Sequence, residues 1–389
     1  MRVWLINPYG PLPGEGWRDY RFTYAARALA ARGHEVTWWT AAFDHHTKRF
    51  REHDWHGDFT IKLVPTPSYD RNISLRRLWF ERMFAKGLLE GERTSRQLIR
   101  GGSRAAARSS GRDVRSPLMP RPDVIIAADP PQFCGAAGRE LAAFHRSRLV
   151  IDCLDLWPEL FVTAAPAALR PLVRVAVQPL RTMRRRNVRA ASLAIAVADR
   201  YRDALIADGA RNAITIPVGV DVGAFRVPRV PHDRATLVYA GSLGEHYDLA
   251  TLLEAVRGMD ADLLIAGRGP AEKRLRAIAP PNVQFLGALT AEDLPRLYAS
   301  ADAGLAPYSA GSTVAMPLKV FDYLAAGLRV VTSLDGEFPA VRYAAGNAVS
   351  LRDAIQRALA APAPPVDTAQ FDTGVLYERY ADAIEAVAR

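Results

Sequence analysis

The sequence predicts an α/β protein with two Rossmann-like domains that face each other across a cleft. Two observations lead to this prediction. The 389 residues suffice for two domains of ordinary size. Short strands rich in β-branched residues also alternate with helical segments in two successive series, over residues 1–226 and 227–371. Each series should form a parallel sheet, and ligands bind beyond the carboxyl ends of such strands.

The first series begins with the strand Val3–Ile6, a loop rich in Gly and Pro, and a helix over residues 20–32 that Gly33 ends. The strand Val36–Thr40 completes one βαβ unit. Further buried strands are predicted at residues 123–128, 149–152 and 193–197. Residues 71–121 are basic, and their second half is rich in Ser, Gly and Arg, so we expect part of this stretch to be mobile.

The second series follows a stretch of linker composition at residues 227–234. Its predicted strands are residues 237–239, 263–266, 283–286, 304–306 and 328–332. Its predicted helices are residues 248–256, 269–278, 291–299 and 317–326. A linker at residues 361–365 precedes a terminal helix at residues 375–387.

Residues 312–333 are the most informative stretch of the chain. Pro317 suits the first turn of a helix, and Gly327 suits the left-handed residue that ends one. Between them, Lys319 and Asp322 are three apart and share a helix face. A helix N-terminus beside a lysine suits a phosphate, and a carboxylate one turn further in can hold the paired hydroxyls of a sugar. The combination predicts a nucleotide-sugar site.

Two groups of glycines mark other candidate ligand loops. Gly14 and Gly16 follow the first strand, but the residues after them do not continue a dinucleotide fingerprint. This loop is either a plain βα turn or a flexible segment whose backbone N–H groups approach a phosphate or sugar. The turns 241–244 and 267–269 end two strands of the second series, where either tight turns or a ligand site would require glycine.

Histidines and acids in the first half are candidates for catalysis. The segment 44–56 contains four histidines and two aspartates, and a metal site is conceivable there. A polar surface loop is the stronger interpretation, with one histidine, His46, contacting substrate. Asp152, Asp155 and Glu159 follow another strand, and Asp155 is the candidate partner of an acceptor hydroxyl. The alternative is an ordinary helix start.

Charge divides the chain unevenly. Residues 1–198 contain 32 Lys and Arg against 18 Asp and Glu, a net charge of +14, whereas residues 199–389 carry −4. No acid occurs between residues 160 and 198, where seven arginines stand among apolar residues. This pattern suits either a basic amphipathic helix on anionic lipid headgroups or a solvated helix face. No aromatic-interleaved motif accompanies the charge, so we expect no nucleic-acid partner.

The cysteine content and the hydropathy of the chain favour a cytoplasmic protein. Cys134 and Cys153 give no disulfide framework, and the apolar run at the N-terminus is too short for a signal peptide. With no transmembrane segment expected, we predict a cytoplasmic protein that is peripheral on the inner face of the cell membrane.

Several motifs give the chain a family resemblance. They are ARGHEV (31–36), DLWPE (155–159), IPVGVDVGAF (216–225), YAGSLGEHYDLATLLEA (239–255), LLIAGRGP (263–270), NVQFLGAL (282–289), LYASADAGLAPY (297–308) and PLKVFDYLAAGLRVV (317–331). With them the chain resembles the GT-B-fold family-4, or group 1, retaining glycosyltransferases, and among these the capsule, O-antigen and exopolysaccharide transferases. The resemblance implies a GT-B fold whose C-terminal helix, residues 372–389, crosses back to the N-terminal domain.

The resemblance also implies the reaction. A sugar would pass with retention from a nucleotide-diphosphate sugar, with UDP as the expected nucleotide, to a hydroxyl acceptor such as a polyprenyl-diphosphate-linked saccharide. No metal or other cofactor is expected. Asp155 and His46 are the implied catalytic residues. The implied donor-binding residues are Gly14, Gly16, Gly241, Ser242, Leu243, His246, Arg268, Met316, Pro317, Leu318, Lys319 and Asp322.

Some positions depart from the family pattern. The first of two usual glutamates is Val314 here, and Asp322 stands at the second. Ser242 and His246 lie where many members have basic residues, which leaves the diphosphate to Lys319, Arg268 and the helix N-terminus. Two alternatives remain: a GT-B sugar-nucleotide epimerase or phosphorylase, and a non-enzymatic protein that binds membranes or polyanions through its basic half.

Overall fold

The chain forms two compact α/β units. A computed structural model describes residues 1–52, 55–72, 74–100, 120–244, 246–312, 314 and 317–389, except the side chains of residues 92–100, 160 and 164. The first unit contains Met1–Glu15, Asp19–Pro217 and Tyr377–Arg389, and the second contains Gly16–Arg18 and Val218–Leu376. The predicted domain boundary at residue 226 lies inside the second unit, because Val220, Val222 and Phe225 are part of that unit's hydrophobic core.

The first unit is built on a seven-stranded parallel sheet. Its strands are β1 (Arg2–Ile6), β2 (Glu35–Ala41), β3 (Thr60–Val64), β4 (Val124–Asp129), β5 (Arg148–Cys153), β6 (Leu193–Ala196) and β7 (Ala213–Thr215). They lie in the order β3-β2-β1-β4-β5-β6-β7. This is the Rossmann order, extended by one strand, with the first strand near the middle. Every pair of neighbouring strands in this sheet is parallel.

Seven α-helices of the first unit connect these strands. They are α1 (Arg21–Ala31), α2 (Leu75–Arg100), α3 (Gln132–His145), α4 (Glu159–Ala164), α5 (Arg170–Ala176), α6 (Gln178–Ala190) and α7 (Asp199–Ala207), with a 3-10 turn at Ala167–Leu169. The segment expected to be partly mobile contains α2, whose Phe80, Phe84 and Leu88 are buried at helical spacing. Residues 101–119 of that segment lie outside the described residues.

The second unit repeats the plan on six parallel strands. They are β8 (Thr236–Ala240), β9 (Asp262–Ala266), β10 (Val283–Gly287), β11 (Ala303–Ala306), β12 (Arg329–Thr332) and β13 (Val341–Arg342), in the order β10-β9-β8-β11-β12-β13. Its helices are α8 (Leu249–Val256), α9 (Glu272–Ile278), α10 (Leu294–Ala299), α11 (Leu318–Ala325) and α12 (Ala348–Ala360), with 3-10 turns at Gly223–Phe225 and Thr368–Gln370. Gly327 has the predicted left-handed backbone, with φ +71°.

The last helix, α13 (Thr373–Ala388), belongs to both units: its residues up to Leu376 to the second, and those from Tyr377 to the first. In the first unit, the Tyr380 hydroxyl donates to Asp152 at 2.8 Å, and the same carboxylate forms a fully buried ion pair with Arg21 at 2.9 Å. Arg21 also donates to the carbonyl of Ile216 at 2.7 Å. One buried charge pair thus joins α1, β5, α13 and the segment at Ile216. Loss of one partner from such a pair typically lowers the free energy of unfolding by about 3–5 kcal/mol.

Candidate functional site

Two glycine turns of the second unit lie against each other at the carboxyl edge of its sheet. The turn after β8 and the turn after β9 are joined by a hydrogen bond from the Leu243 N–H to the Arg268 carbonyl, at 3.0 Å. A Cβ atom at Gly267 would lie 1.8 Å from the Gly241 oxygen, and one at Gly269 would lie 2.4 Å from the Leu243 oxygen. Only glycine permits these backbones to approach so closely, so the two turns form one unit of the site.

The lysine of α11 lies against the first of these turns. Lys319 is 8% exposed, and its Nζ has no hydrogen-bond partner among the described residues. A Cβ atom at Gly241 would lie only 2.7 Å from this Nζ, so the missing side chain at residue 241 makes room for the amine. The structure therefore brings together two residues that the sequence predicted separately, one in a glycine turn and one on a helix.

The electrostatic state of Lys319 follows from its burial. Desolvation lowers the pKa of Lys319 well below its usual value, and the nearby Asp322 carboxylate opposes that shift only in part. An amine in this state has unused hydrogen-bonding capacity. An anion that enters the site would stabilise the ammonium form and raise its pKa.

The carboxylate of Asp322, which the sequence predicted to hold sugar hydroxyls, is paired with an arginine. Both of its oxygens accept hydrogen bonds from the Arg18 guanidinium, at 2.8 and 2.9 Å. Burial raises the pKa of Asp322, and the charge of Arg18 acts in the opposite direction. Arg18 was not predicted as a site residue. Its only signal in the sequence was its place directly after the glycine loop, because its partner lies 304 residues away.

The other residues predicted to bind the donor differ from one another in exposure and in their place relative to the glycine turns and α11. Ser242, His246 and Arg268 are exposed, whereas Leu243 is fully buried, so that its backbone rather than its side chain faces the turn of β9. Pro317 is the N-cap of α11, which begins at Leu318 rather than at the proline. Met316 lies outside the described residues.

The glycine loop after β1 has an unusual backbone. Gly14 and Gly16 have φ values of +87° and +75°, and no atom lies within 4 Å of where their side chains would begin. Gly14 belongs to the first unit and Gly16 to the second. These glycines are therefore required by backbone conformation and not by close packing.

The two candidate catalytic residues both belong to the first unit. Asp155 accepts a hydrogen bond from the Tyr201 hydroxyl at 3.1 Å, and burial raises its pKa. His46 is exposed in the loop after β2, and partial desolvation lowers its pKa. The two other acids near Asp155 are engaged elsewhere: Asp152 pairs with Arg21, and Glu159 pairs with arginines of α6.

Sequence reasoning missed a polar and aromatic cluster at the carboxyl edge of the first sheet. Arg77 of α2 lies over the rings of Tyr9 and Trp157, at 4.8 and 4.3 Å from their centroids. The Tyr9 hydroxyl donates to the buried Glu81 at 2.6 Å, and its ring lies 5.1 Å from that of His45. Loops after β1, β2 and β5 thus meet around one arginine, which could not be foreseen because α2 itself was not predicted.

The described residues of the histidine segment are not grouped around a metal site. His45 is hydrogen-bonded to the Tyr69 hydroxyl, while His53 and Asp54 lie outside the described residues. In the part of the chain that the structure describes, no group of three or more His, Cys, Asp or Glu side chains is placed to hold a metal.

The acid-free segment 160–198 is not one basic amphipathic helix, as the first of its two interpretations required. It contains most of α4, then α5, α6 and β6. Arg184 is buried and pairs with Glu159 and Asp208, both at 2.6 Å, so part of the basic charge is neutralised by acids just outside the segment. The exposed arginines are Arg170 and Arg174 of α5 and Arg185, Arg186 and Arg189 of α6. The helix α5 also exposes two apolar side chains, Leu172 at 69% and Val175 at 70%. Among the described residues, no helix is long and apolar enough to span a bilayer.

A family model matches part of the second unit, and one relative is similar to part of the chain. Residues 234–361 match the model of the glycosyl transferases group 1 family. A GDP-mannose-dependent alpha-(1-6)-phosphatidylinositol dimannoside mannosyltransferase of Mycobacterium tuberculosis is 38% identical over 144 residues, which cover 32% of this chain and 36% of the relative. The chain therefore spans about a third of the length of that relative.

Solved structures are similar over the whole chain. The sucrose-phosphate synthase of Thermosynechococcus elongatus is 18% identical with a TM-score of 0.63, covering 100% of this chain and 96% of its own. The Anabaena protein HepE, solved in complex with UDP and glucose, is 16% identical with a TM-score of 0.61, covering 99% of this chain and 100% of its own. At this identity the likeness establishes the GT-B fold of two Rossmann-like units, as predicted.

Proposed function

We propose that the chain, which has the GT-B fold and matches the group 1 glycosyl transferase model over residues 234–361, transfers a sugar from a nucleotide-diphosphate sugar to a hydroxyl acceptor. The bond between the anomeric carbon and the donor phosphate breaks, and the acceptor oxygen bonds to that carbon. The acceptor proton leaves with the nucleoside diphosphate. Retention of configuration and a UDP-linked donor are parts of the proposal.

The observation that carries this proposal is the buried amine of Lys319 beside the glycine turns, which has no hydrogen-bond partner among the described residues. A leaving diphosphate gains negative charge as the glycosidic bond breaks, and a preorganised cation in a desolvated site stabilises that charge strongly. Backbone N–H groups at the start of α11 act in the same sense. The proposal assigns this role to Lys319 and to the N-terminus of α11.

Asp322 is proposed to hold the ribose hydroxyls of the donor. Its carboxylate is bound by Arg18, so donor binding must either replace these hydrogen bonds or add to them at the remaining lone pairs. The donor nucleotide is proposed to be UDP. GDP is the informative competitor, because the mannosyltransferase relative is GDP-mannose-dependent by name.

The first unit is proposed to bind the acceptor, with Asp155 and His46 near its hydroxyl. Its excess of positive charge suits an acceptor that carries a diphosphate, such as a polyprenyl-diphosphate-linked saccharide. The exposed apolar residues of α5, together with Arg170 and Arg174, would hold the protein on an anionic membrane surface. On this proposal the protein is a peripheral enzyme at the cytoplasmic face.

A panel of nucleotide sugars tests the function. The stabilising donor should raise the melting temperature, since a ligand at 100 times its Kd adds about 2.7 kcal/mol. Nucleoside diphosphate should then accumulate only when a saccharide acceptor is present. Conversion of the donor without an acceptor would instead identify an epimerase, and dependence on inorganic phosphate a phosphorylase. A protein that no nucleotide sugar stabilises would not be a transferase of this kind.

A further inference from the structure

Three tyrosine rings surround the amine of Lys319. Its Nζ lies 3.6 Å from the ring centroid of Tyr247, 4.0 Å from that of Tyr239 and 5.8 Å from that of Tyr308. Tyr239 lies on β8, Tyr247 in the loop that follows β8, and Tyr308 just after β11. We call these three residues the tyrosine cage.

The cage is held by backbone contacts on both sides. Tyr247 and Tyr308 form an antiparallel bridge, and their rings are 5.0 Å apart. The Asp248 N–H donates to the Pro307 carbonyl at 2.8 Å, next to that bridge. On the other side, the Tyr239 hydroxyl donates to the Ser242 carbonyl at 2.6 Å. The rings are therefore held around the amine by contacts within the protein.

Aromatic faces can stabilise a buried ammonium without occupying its hydrogen-bond donors. A buried ammonium needs a compensating partner, and a carboxylate would neutralise it and occupy its hydrogen-bond donors. A ring attracts a cation through its quadrupole and leaves the N–H groups free. Asp322, the described acid whose charge acts on the amine, is hydrogen-bonded to Arg18 instead. The cage thus leaves the N–H groups of Lys319 available to an incoming anion, and it adds to the stabilisation of the ammonium form once that anion is bound.

We propose that the tyrosine cage positions Lys319 to bind the donor diphosphate, that Tyr247 is a positioning residue for this contact, and that nucleoside diphosphate binding is accompanied by proton uptake. The proposal rests on the proposed function and adds to it the means by which one lysine serves the diphosphate. Tyr247 is the member to test, because it is half-buried in a loop whereas Tyr239 and Tyr308 are core residues.

Proton uptake follows from the groups that face the amine. Among the residues that the structure describes, these are Asp322 on α11, Tyr239 on β8, and Tyr247 and Tyr308 on the two loops, while Arg18 acts through its ion pair with Asp322. Burial raises the pKa of all three tyrosines, so they stay neutral near pH 8. The amine, with its depressed pKa, is then the group that gains a proton when a diphosphate arrives.

Isothermal titration calorimetry with UDP and GDP, and with uridine and guanosine as references, tests both the role of Tyr247 and the proton uptake. Tyr247→Leu removes the ring, and Tyr247→Phe keeps the ring without the hydroxyl. We expect Tyr247→Leu to weaken diphosphate binding about tenfold or more while nucleoside binding stays unchanged, and Tyr247→Phe to remain within about twofold of wild type. In two buffers of different ionisation enthalpy at pH 8, wild type should take up a fraction of a proton per diphosphate and none per nucleoside.

Several outcomes would overturn the proposal. Equal diphosphate affinity of Tyr247→Leu and wild type would exclude the cage, and so would diphosphate binding without proton exchange in wild type, a result that does not depend on the folding of any variant. A loss of affinity that is equal for nucleoside and diphosphate would mark Tyr247 as merely structural. Wild type that binds no nucleoside diphosphate would overturn the proposed function as well, which separates the two failures.

Discussion

The guanidinium of Arg18 donates hydrogen bonds to both carboxylate oxygens of Asp322, at 2.8 and 2.9 Å. The carboxylate is almost fully buried, so its charge depends on this partner. Removal of Arg18 leaves a buried acid whose pKa must rise further. When the pKa of a carboxyl group is higher in the folded protein than in the unfolded chain, the protein becomes less stable as pH rises from the unfolded pKa to the folded pKa.

Arg18→Ala should therefore destabilise the protein by about 1–3 kcal/mol at pH 7.5, and by clearly less at pH 5, where Asp322 can bind a proton. Chemical denaturation at the two pH values measures the difference. Arg27→Ala is the control, because Arg27 pairs with Asp19 at the surface and such pairs contribute about 0–1 kcal/mol. A loss of stability for Arg18→Ala that is the same at both pH values would contradict the electrostatic explanation.

A second pH effect is expected in the first unit. Burial at the end of β4 raises the pKa of Asp129 from 3.8 to about 7, although Arg184 opposes the shift. Between about pH 4 and pH 7 the folded protein keeps this proton and the unfolded chain releases it, so this group makes stability fall as pH rises across that range. This difference in pKa corresponds to a decrease of about 4 kcal/mol in the free energy of unfolding across that pH range.

Asp129→Asn replaces the protonated acid by a neutral amide of similar shape. The variant should lose much of the decline in melting temperature between pH 5 and pH 8, and should be at least as stable as wild type at pH 8. Thermal unfolding followed by circular dichroism at both pH values tests this. If wild type and variant declined in parallel, Asp129 would not be the group that holds the proton.

The contact between the two glycine turns of the second unit gives a steric prediction. Gly267→Ala places a Cβ atom 1.8 Å from the Gly241 oxygen, at a φ of +143°, so the turns must separate. We expect a loss of about 3 kcal/mol or more and at least a tenfold weaker affinity for nucleoside diphosphate. Gly258→Ala is the matched control, with φ +71° but open space around the new methyl group. Equal effects of the two substitutions would show that the turn contact is unimportant.

The membrane proposal can be tested without damage to the fold. A charge reversal at Arg184 would break its buried pairs with Glu159 and Asp208, so it cannot report on membrane binding. Arg170→Glu with Arg174→Glu changes two exposed residues of α5. This double variant should float less with vesicles that contain anionic lipid, and the flotation of wild type should weaken with salt. Identical flotation of variant and wild type would show that these arginines of α5 do not contribute to membrane binding.

The sequence predicted the sheets better than the contacts between them and the helices. Buried parallel strands are short apolar runs between turn signals, and β4 is an example in which every residue is buried. The helix α11 was predicted to within one residue, because Pro317 and Gly327 mark its ends. The helix α2 was missed because basic residues surround its apolar positions and hide their helical period.

The candidate site was predictable only in part, for a physical reason. Lys319 and Gly241 each carry a local signal, but the contact between them depends on β8 and β11 being neighbours in the sheet. The same sheet order brings Tyr239 and Tyr308 around the amine. The Arg18–Asp322 pair joins residues 304 positions apart, and no local pattern predicts such a partner.

The release of nucleoside diphosphate from a sugar donor tests the central claim most directly. Wild type, Lys319→Ala and Lys273→Ala are compared with the best donor of the panel and a saccharide acceptor. Lys273 is an exposed lysine of the same unit and controls for the loss of one charge. We predict that Lys319→Ala lowers kcat about 100-fold or more while Lys273→Ala remains near wild type. Unchanged turnover in Lys319→Ala would contradict the assignment of this lysine to the leaving diphosphate.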